Sequence, residues 1–254
     1  AEAAGLGEGP AVQARVDAAI RKVLTRQAPN GAFGLWRAES GDFWLDAYAS
    51  DFLSRARAQG YHVPEQAFAQ AMDILRNRIH YAADFDEGGE EIAYALMVLA
   101  REGAAAMGDL RYYADVKGEA FATPLAAAQL GAALASYGDQ RRADAMFARA
   151  AALLDRRTPE ASVWRVDYGT PLRDAAGVLA LAAASGSAAV DREGITSRIA
   201  RQSGPMSKQE ATWSLLAAMR WWNTPRLRPH GRCWLPMRWW NTPRLRGCWS
   251  MASR

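Results

Sequence analysis

Apolar residues recur along this chain at helical spacing, and almost nowhere with the alternation of a strand. Over residues 11–27, Val12, Val16, Ala19, Ile20, Val23 and Leu24 fall on one helical face, with Lys and Arg on the other. A glycine-rich loop from Asn30 to Trp36 follows, and its Phe33 and Trp36 are expected to plug the space beside the next helix. That helix spans 43–59, carries Trp44, Leu45, Tyr48, Phe52 and Leu53 on a broad apolar side, and stops at Gly60. A one-sided helix starts at Pro64, with Phe68, Ala71, Met72, Leu75 and Ile79 on its buried face. Residues 92–100, IAYALMVLA, are apolar all round and end at Gly103. A polar, aromatic helix is predicted over 107–116. The small-residue helix PLAAAQLGAALASY, opened by Thr123-Pro124, ends at Gly138. Asp139 is placed to cap its successor, which buries Ala143, Met146, Phe147, Ala150, Leu153 and Leu154. Residues 171–184 are again apolar all round and end at Gly186, and a polar helix is predicted over 191–201. Ser207-Lys208-Gln209-Glu210 reads as a capping box opening a last helix through Trp213, Leu215, Leu216 and Met219.

Ten helices and no strand predict an all-α fold. The helices starting near 43, 91, 124, 172 and 209 are apolar on most sides, and those near 11, 64, 109, 140 and 192 on one side only. An inner circle of buried helices inside an outer circle with one wet face explains that alternation. A helical solenoid would need a fixed period, whereas the inner helices start at intervals of 48, 33, 48 and 37 residues. The expected architecture is therefore an α/α toroid, here as an incomplete ring.

Charge divides the chain in two. From Arg220 onward there are eight Arg and no Asp or Glu. Removing those eight from the 31 basic residues leaves 23 against 27 acidic ones in 1–219, a net charge of −4. The body thus lacks the basic footprint of a nucleic-acid binder. The decapeptide MRWWNTPRLR occurs at 219–228 and again, verbatim, at 237–246, and six of the ten Trp lie beyond residue 219. An Arg/Trp segment of this kind could bind nucleic acid or a membrane surface. The verbatim repeat and the abrupt loss of carboxylates instead favour a cloning-derived or frameshifted tail at 220–254, outside a domain at 1–219. Both cysteines, Cys233 and Cys248, lie in that tail, so the body has neither a disulfide nor a thiolate metal site. Nothing in the pattern is long and apolar enough to cross a membrane, and residues 1–10 lack the features of an intact signal peptide.

Candidate chemistry is sparse. There is no phosphate-binding or dinucleotide-binding glycine motif, no HExxH and no Gly-x-Ser-x-Gly. His62, His80 and His230 are isolated from one another. The acidic loop Asp84, Asp86, Glu87, Glu90 and Glu91 offers the carboxylate pair a glycosidase needs, with Trp36, Trp44 and Trp164 as stacking platforms for sugar rings. The alternative is that these acids solvate a loop and favour the N-terminus of the next helix. A helical protein-interaction scaffold is a third reading. No catalytic, cofactor-binding or metal-ligating residue is assigned.

One set of residues resembles a known family. The loop Gln27-Ala28-Pro29-Asn30-Gly31-Ala32-Phe33-Gly34-Leu35-Trp36 is followed by Trp44-Leu45-Asp46-Ala47-Tyr48-Ala49-Ser50-Asp51-Phe52-Leu53 and the turn Gly60-Tyr61-His62-Val63-Pro64. Further matches are Tyr137-Gly138-Asp139, the run Asp167-Tyr168-Gly169-Thr170-Pro171-Leu172-Arg173-Asp174, and Ser207-Lys208-Gln209-Glu210. In this order the set resembles the thioester-containing domain of bacterial alpha-2-macroglobulins, over about 12–218. The resemblance implies a toroid of six helix pairs inside a larger, multidomain protein that traps proteases and is not an enzyme. It also implies a periplasmic location, often lipid-anchored, and a role in defence. The family's internal thioester joins the Cys and Gln of a C-x-E-Q motif, and no such motif occurs here. Its usual place, on the first inner helix, would precede the helix that starts near Ala11. The chain is therefore expected to be a truncated thioester-type domain with no covalent activity. It is also expected to expose apolar surface beside its first helix and so to be marginally stable or to self-associate. Its expected partners are proteases and neighbouring domains of the same parent protein.

Overall fold

A computed structural model describes residues 10–156, 165 and 167–202. Nine α-helices account for most of them: α1 Pro10–Leu24, α2 Phe43–Ala58, α3 Glu65–His80, α4 Glu90–Arg101, α5 Met107–Asp115, α6 Pro124–Ser136, α7 Gln140–Arg156, α8 Pro171–Ala184 and α9 Arg192–Gln202. No strand occurs among the described residues, only the isolated bridges Gln27–Phe33 and Gly88–Phe121. The fold is all-α. The helix expected at 207–219, the tail and Trp164 lie outside the described residues.

The two kinds of helix occupy two files. Helices α2, α4, α6 and α8 pack side by side in succession, while α3, α5, α7 and α9 each pack on a neighbouring member of that file. The hydrophobic pattern dictates which is which. Every residue of α4 from Ile92 to Ala100 is buried, as is Asp174 to Ala182 in α8. Helix α7 buries only Ala143, Met146, Phe147, Ala150 and Leu154, a single stripe. In α6, Gly131 lets α7 approach: a Cβ there would lie 3.2 Å from the Ala143 carbonyl oxygen and from the Phe147 ring.

Each helix of the buried file stops in the same way. Gly60, Gly103, Gly138 and Gly186 follow α2, α4, α6 and α8, all with φ between 65° and 81°. In each case the next residue's N–H reaches back to a helix carbonyl: Tyr61 to Ala56, Ala104 to Leu99, Asp139 to Leu134 and Ser187 to Ala182, at 2.8–3.0 Å. This glycine-terminated stop satisfies carbonyls that the helix leaves open. Three of the four starts are capped by side chains, while α4 begins at Gly89 without one. Asp42 Oδ1 accepts from Leu45 N in α2, Thr123 Oγ1 from Ala126 N in α6 and Thr170 Oγ1 from Arg173 N in α8. Asp139 caps α7 by accepting from Arg142 N, as its position predicts. At Gly103 nothing lies within 4 Å of the point where an added Cβ would sit, so only the backbone conformation resists substitution. Gly103→Ala is therefore expected to cost roughly 1 kcal/mol, measured by thermal unfolding, with Gly103→Asn costing less.

Two expectations are corrected here. The apolar face of α1 is closed only in part: Val16 and Ile20 are buried where α1 packs against α2 and joins the same core, while Val12, Val23 and Leu24 stay partly accessible. Pro64 is not in the first turn of α3 but is its N-cap, at φ −56° and ψ 129°, and its carbonyl accepts from Phe68 N.

Candidate functional site

The residues richest in chemistry gather where α2, α4 and α8 begin. Trp44, in the first turn of α2, is buried with its ring stacked on Tyr48 at 5.1 Å and tilted against Tyr94 of α4 at 6.0 Å. Tyr168, two residues before the Thr170 cap of α8, places its ring edge-on to Trp44 at 5.5 Å. The Arg173 guanidinium lies 5.9 Å from the Trp44 ring centre. Trp44 therefore ties α2, the first helix of the buried file, to the start of α8. Tyr168 adopts φ 52°, the one positive φ of a non-glycine residue among those described. Side-chain contacts around it hold that conformation. Asp167 Oδ1 accepts from Gly169 N at 3.0 Å, and Arg165 donates to both Asp167 and Asp174.

Two buried carboxylates fix this region to the helices. Asp174 is fully buried in α8 and accepts from Arg165 Nη1 at 2.6 Å. Burial pushes its carboxyl above the usual range, against the pull of Arg165. Asp46 is fully buried in α2; its Oδ1 accepts from Phe33 N at 2.7 Å and its Oδ2 from Arg78 Nε at 3.1 Å. Arg78 continues to the Gly41 carbonyl at 2.9 Å. The loop between α1 and α2 is thus bolted at both shoulders to one carboxylate. Burial raises the Asp46 carboxyl too, with the Phe33 N–H and Arg78 opposing.

The acidic loop does not assemble a carboxylate pair. Asp84 is exposed and bonded to Lys117 Nζ at 2.5 Å, which lowers its carboxyl below the usual range. A general acid needs the opposite shift. Asp86 and Glu87 also face solvent. The Glu90 carboxyl is raised, by burial and then by the negative charges of Asp167 and Glu91. Of the two aromatic residues expected to plug the first loop, Phe33 does so at 2% exposure, but Trp36 stands out in solvent at 81%. Its neighbour Leu35 is half exposed, because the Phe33 N–H to Asp46 anchor points the chain outward just beyond Phe33. Trp44 is no sugar platform, since Tyr48, Tyr168 and Arg173 cover it, and Trp36 stands alone on its loop. Among the described residues, no three of His, Cys, Asp and Glu are grouped to hold a metal ion, and no helix is long and apolar enough to cross a membrane.

These geometries link three separate sequence runs: Asn30 to Trp36, Trp44 to Leu53, and Asp167 to Asp174. Known proteins resemble the chain in sequence and in overall fold. The chain is 37% identical over 180 residues to alpha-2-macroglobulin of Escherichia coli K12, an alignment covering 66% of this chain and 11% of the relative. The chain is homologous to the bacterial alpha-2-macroglobulins. A Xylella fastidiosa alpha-2-macroglobulin is 29% identical over 182 residues, again 11% of its length. In structure, the chain superposes on native E. coli alpha-2-macroglobulin, solved from domain MG7 to the C-terminus, with a TM-score of 0.69 and 31% identity. That match covers 82% of this chain and 34% of the other. It superposes equally on the E. coli protein activated by porcine elastase, with a TM-score of 0.69 and 31% identity over 82% of this chain and 19% of that one. The Salmonella alpha-2-macroglobulin reacted with methylamine gives 0.68 at 32% identity, covering 82% of this chain and 14% of that one. No family model matches. The chain spans about a tenth of the length of the curated alpha-2-macroglobulins it matches.

The homology explains the motif physically. Residues that read as a string of family matches turn out to be the buried aspartates, the shared tryptophan and the glycine stops that set the helix starts and ends. One network was not legible in the sequence. Asp51 of α2 receives Arg55 Nε at 2.9 Å, the Tyr94 hydroxyl at 2.9 Å and Arg101 of α4. Asp51 itself stood inside the matched run Trp44 to Leu53, and its i, i+4 spacing to Arg55 was visible, but nothing in the sequence pointed to Tyr94 or Arg101.

Proposed function

We propose that residues 1–219 form the helical thioester-type domain of a bacterial alpha-2-macroglobulin-like protease trap, without a thioester of its own and without enzymatic turnover. The 37% identity to the E. coli protein carries this reading. The likeness to that protein in its elastase-activated form supports proteases as the partners, reached through the whole parent protein, with neighbouring domains of that protein packed around this one. In the proposed arrangement the two helix files continue into an α/α ring. The parent acts in the periplasm, as part of bacterial defence, and the 220–254 tail is no part of the domain. Grafting this segment into E. coli alpha-2-macroglobulin in place of the matching segment tests the reading. The chimera should fold and still change its native-gel mobility on elastase treatment. A chimera that folds but no longer responds would overturn it.

The chemistry has a direct check. A thioester is consumed when an amine attacks its acyl carbon, releasing the thiol. The only cysteines are Cys233 and Cys248, followed by Trp-Leu-Pro and Trp-Ser-Met, and neither begins a Cys-x-Glu-Gln. Incubating the chain with labelled methylamine is expected to give no covalent incorporation. Mixing it with active trypsin or elastase should give no adduct stable to denaturing electrophoresis. A methylamine-sized mass gain on any glutamine would refute the absence of a thioester.

A further inference from the structure

The segment between Phe33 and Asp42 has a property that neither the fold nor the proposed trap accounts for. It is a short stretch with an exposed middle and anchored ends. Leu35, Trp36, Arg37 and Ala38 are all exposed, and the Arg37 side chain is 81% accessible. Residues 36–40 make no backbone–backbone hydrogen bond among those described. Few backbone bonds and little burial mark a segment that opens locally at small cost. Among the described residues, Arg37 is held only by its bond to Glu39, a pair exposed on both sides, and such pairs contribute little.

The remaining basic residues of 10–156 are differently placed. Most lie within α1–α7, where backbone hydrogen bonds hold the chain against a protease cleft. Outside the helices, Arg26 gives its guanidinium to the Leu35 carbonyl at 2.9 Å, and Lys117 is buried to 13% exposure against Asp84 and the Phe85 carbonyl. Arg37 is thus the exposed cation on open backbone in this part of the molecule, and it is followed by a small exposed residue, Ala38.

We propose that the Arg37–Ala38 bond is a cleavage site for trypsin-like proteases, and that cutting it leaves the helical body intact. Hydrolysis adds one water, breaks the amide C–N bond and leaves a carboxylate on Arg37 and an amine on Ala38. Neither new end is free to leave. On the N-terminal side, α1 is packed into the common core, Gln27 Nε2 bonds the Ala67 carbonyl of α3 at 2.8 Å, and Phe33 N is held by Asp46. On the C-terminal side, Arg78 holds Ser40 Oγ at 3.2 Å and the Gly41 carbonyl. The cut falls between these anchors.

The test is limited trypsin digestion of the native 254-residue chain, read by intact mass and followed by native size-exclusion chromatography. The earliest cut within residues 10–156 is expected after Arg37, and the 1–37 piece should co-elute with the helical remainder. Arg37→Gln should abolish that cut while cuts outside 10–156 proceed at their former rates, with the thermal midpoint unchanged. An earlier cut elsewhere in 10–156, an unchanged pattern in Arg37→Gln, or separation of the nicked pieces under native conditions would each overturn the proposal.

Discussion

Trp44→Ala is expected to destabilise the fold by about 3–5 kcal/mol, the range for deleting a large buried aromatic side chain. Three effects combine at this position. The indole is buried in the core, so its removal leaves a cavity where α2 meets α4. Its aromatic contacts with Tyr48, Tyr94 and Tyr168 each add roughly 0.5–1.5 kcal/mol beyond area burial where geometry is good. It also ties the start of α8 to α2 through Tyr168 and Arg173, so its loss frees that end of the buried file. The readout is thermal unfolding. For a body of this size each kcal/mol moves the midpoint by about 2–4 °C, so a drop on the order of 10 °C is expected. Tyr168→Gly separates the third effect from the others, since it removes the ring contact but also relieves the strain of a tyrosine at φ 52°. It should therefore cost far less than Trp44→Ala. Equal losses from both variants would mean that the contact between α2 and the start of α8, not the core cavity, sets the cost.

Much of this architecture was readable from local rules. The four glycine stops, the Asp139 cap and the division into helices apolar all round and helices apolar on one side each depend on a few neighbouring residues, and each was met in the structure. What could not be read was direction and distance. Phe33 and Trp36 are three residues apart and similarly apolar, yet one is buried and the other solvated. The choice between them is made by Asp46, thirteen residues from Phe33, through a single backbone N–H. Arg101 reaches Asp51 across fifty residues, and no periodicity carries that information. The same holds for the candidate chemistry. The acidic loop looked like a carboxylate cluster in the sequence because its members are adjacent there. In space Asp84 turns to Lys117, while Glu90 sits near Asp167, which is distant in the chain.

The second large effect is expected at that same long-range contact. Asp51 is a buried carboxylate between two arginines, Arg55 of its own helix and Arg101 of α4, with the Tyr94 hydroxyl completing its shell. Ser54, also buried, receives Arg101 Nε at 3.0 Å and bonds Glu102. Asp51→Ala leaves two guanidinium groups facing each other without their shared anion, and breaking a buried pair in this way costs about 3–5 kcal/mol. Asp51→Asn keeps the volume and one acceptor but removes the charge, so an intermediate loss is expected. The pH dependence follows from the same contacts. Burial acts to raise the Asp51 carboxyl, but Arg55 and Arg101 outweigh it and hold the pKa at about 2, below the ordinary 3.8. A lowered carboxylate pKa means the ionised form is favoured by folding, so its contribution is complete above the unfolded value and is lost as pH falls through the folded one. That contribution is about 2–3 kcal/mol at neutral pH by linkage, and it disappears between about pH 4 and pH 2. Denaturant melts of the wild type and Asp51→Asn should therefore differ by a constant amount from pH 7 down to about pH 5, and converge as the acid is titrated toward pH 2. A gap that stayed constant down to pH 2 would show that the arginines act on Asp51 through shape and hydrogen bonding, and not through its charge.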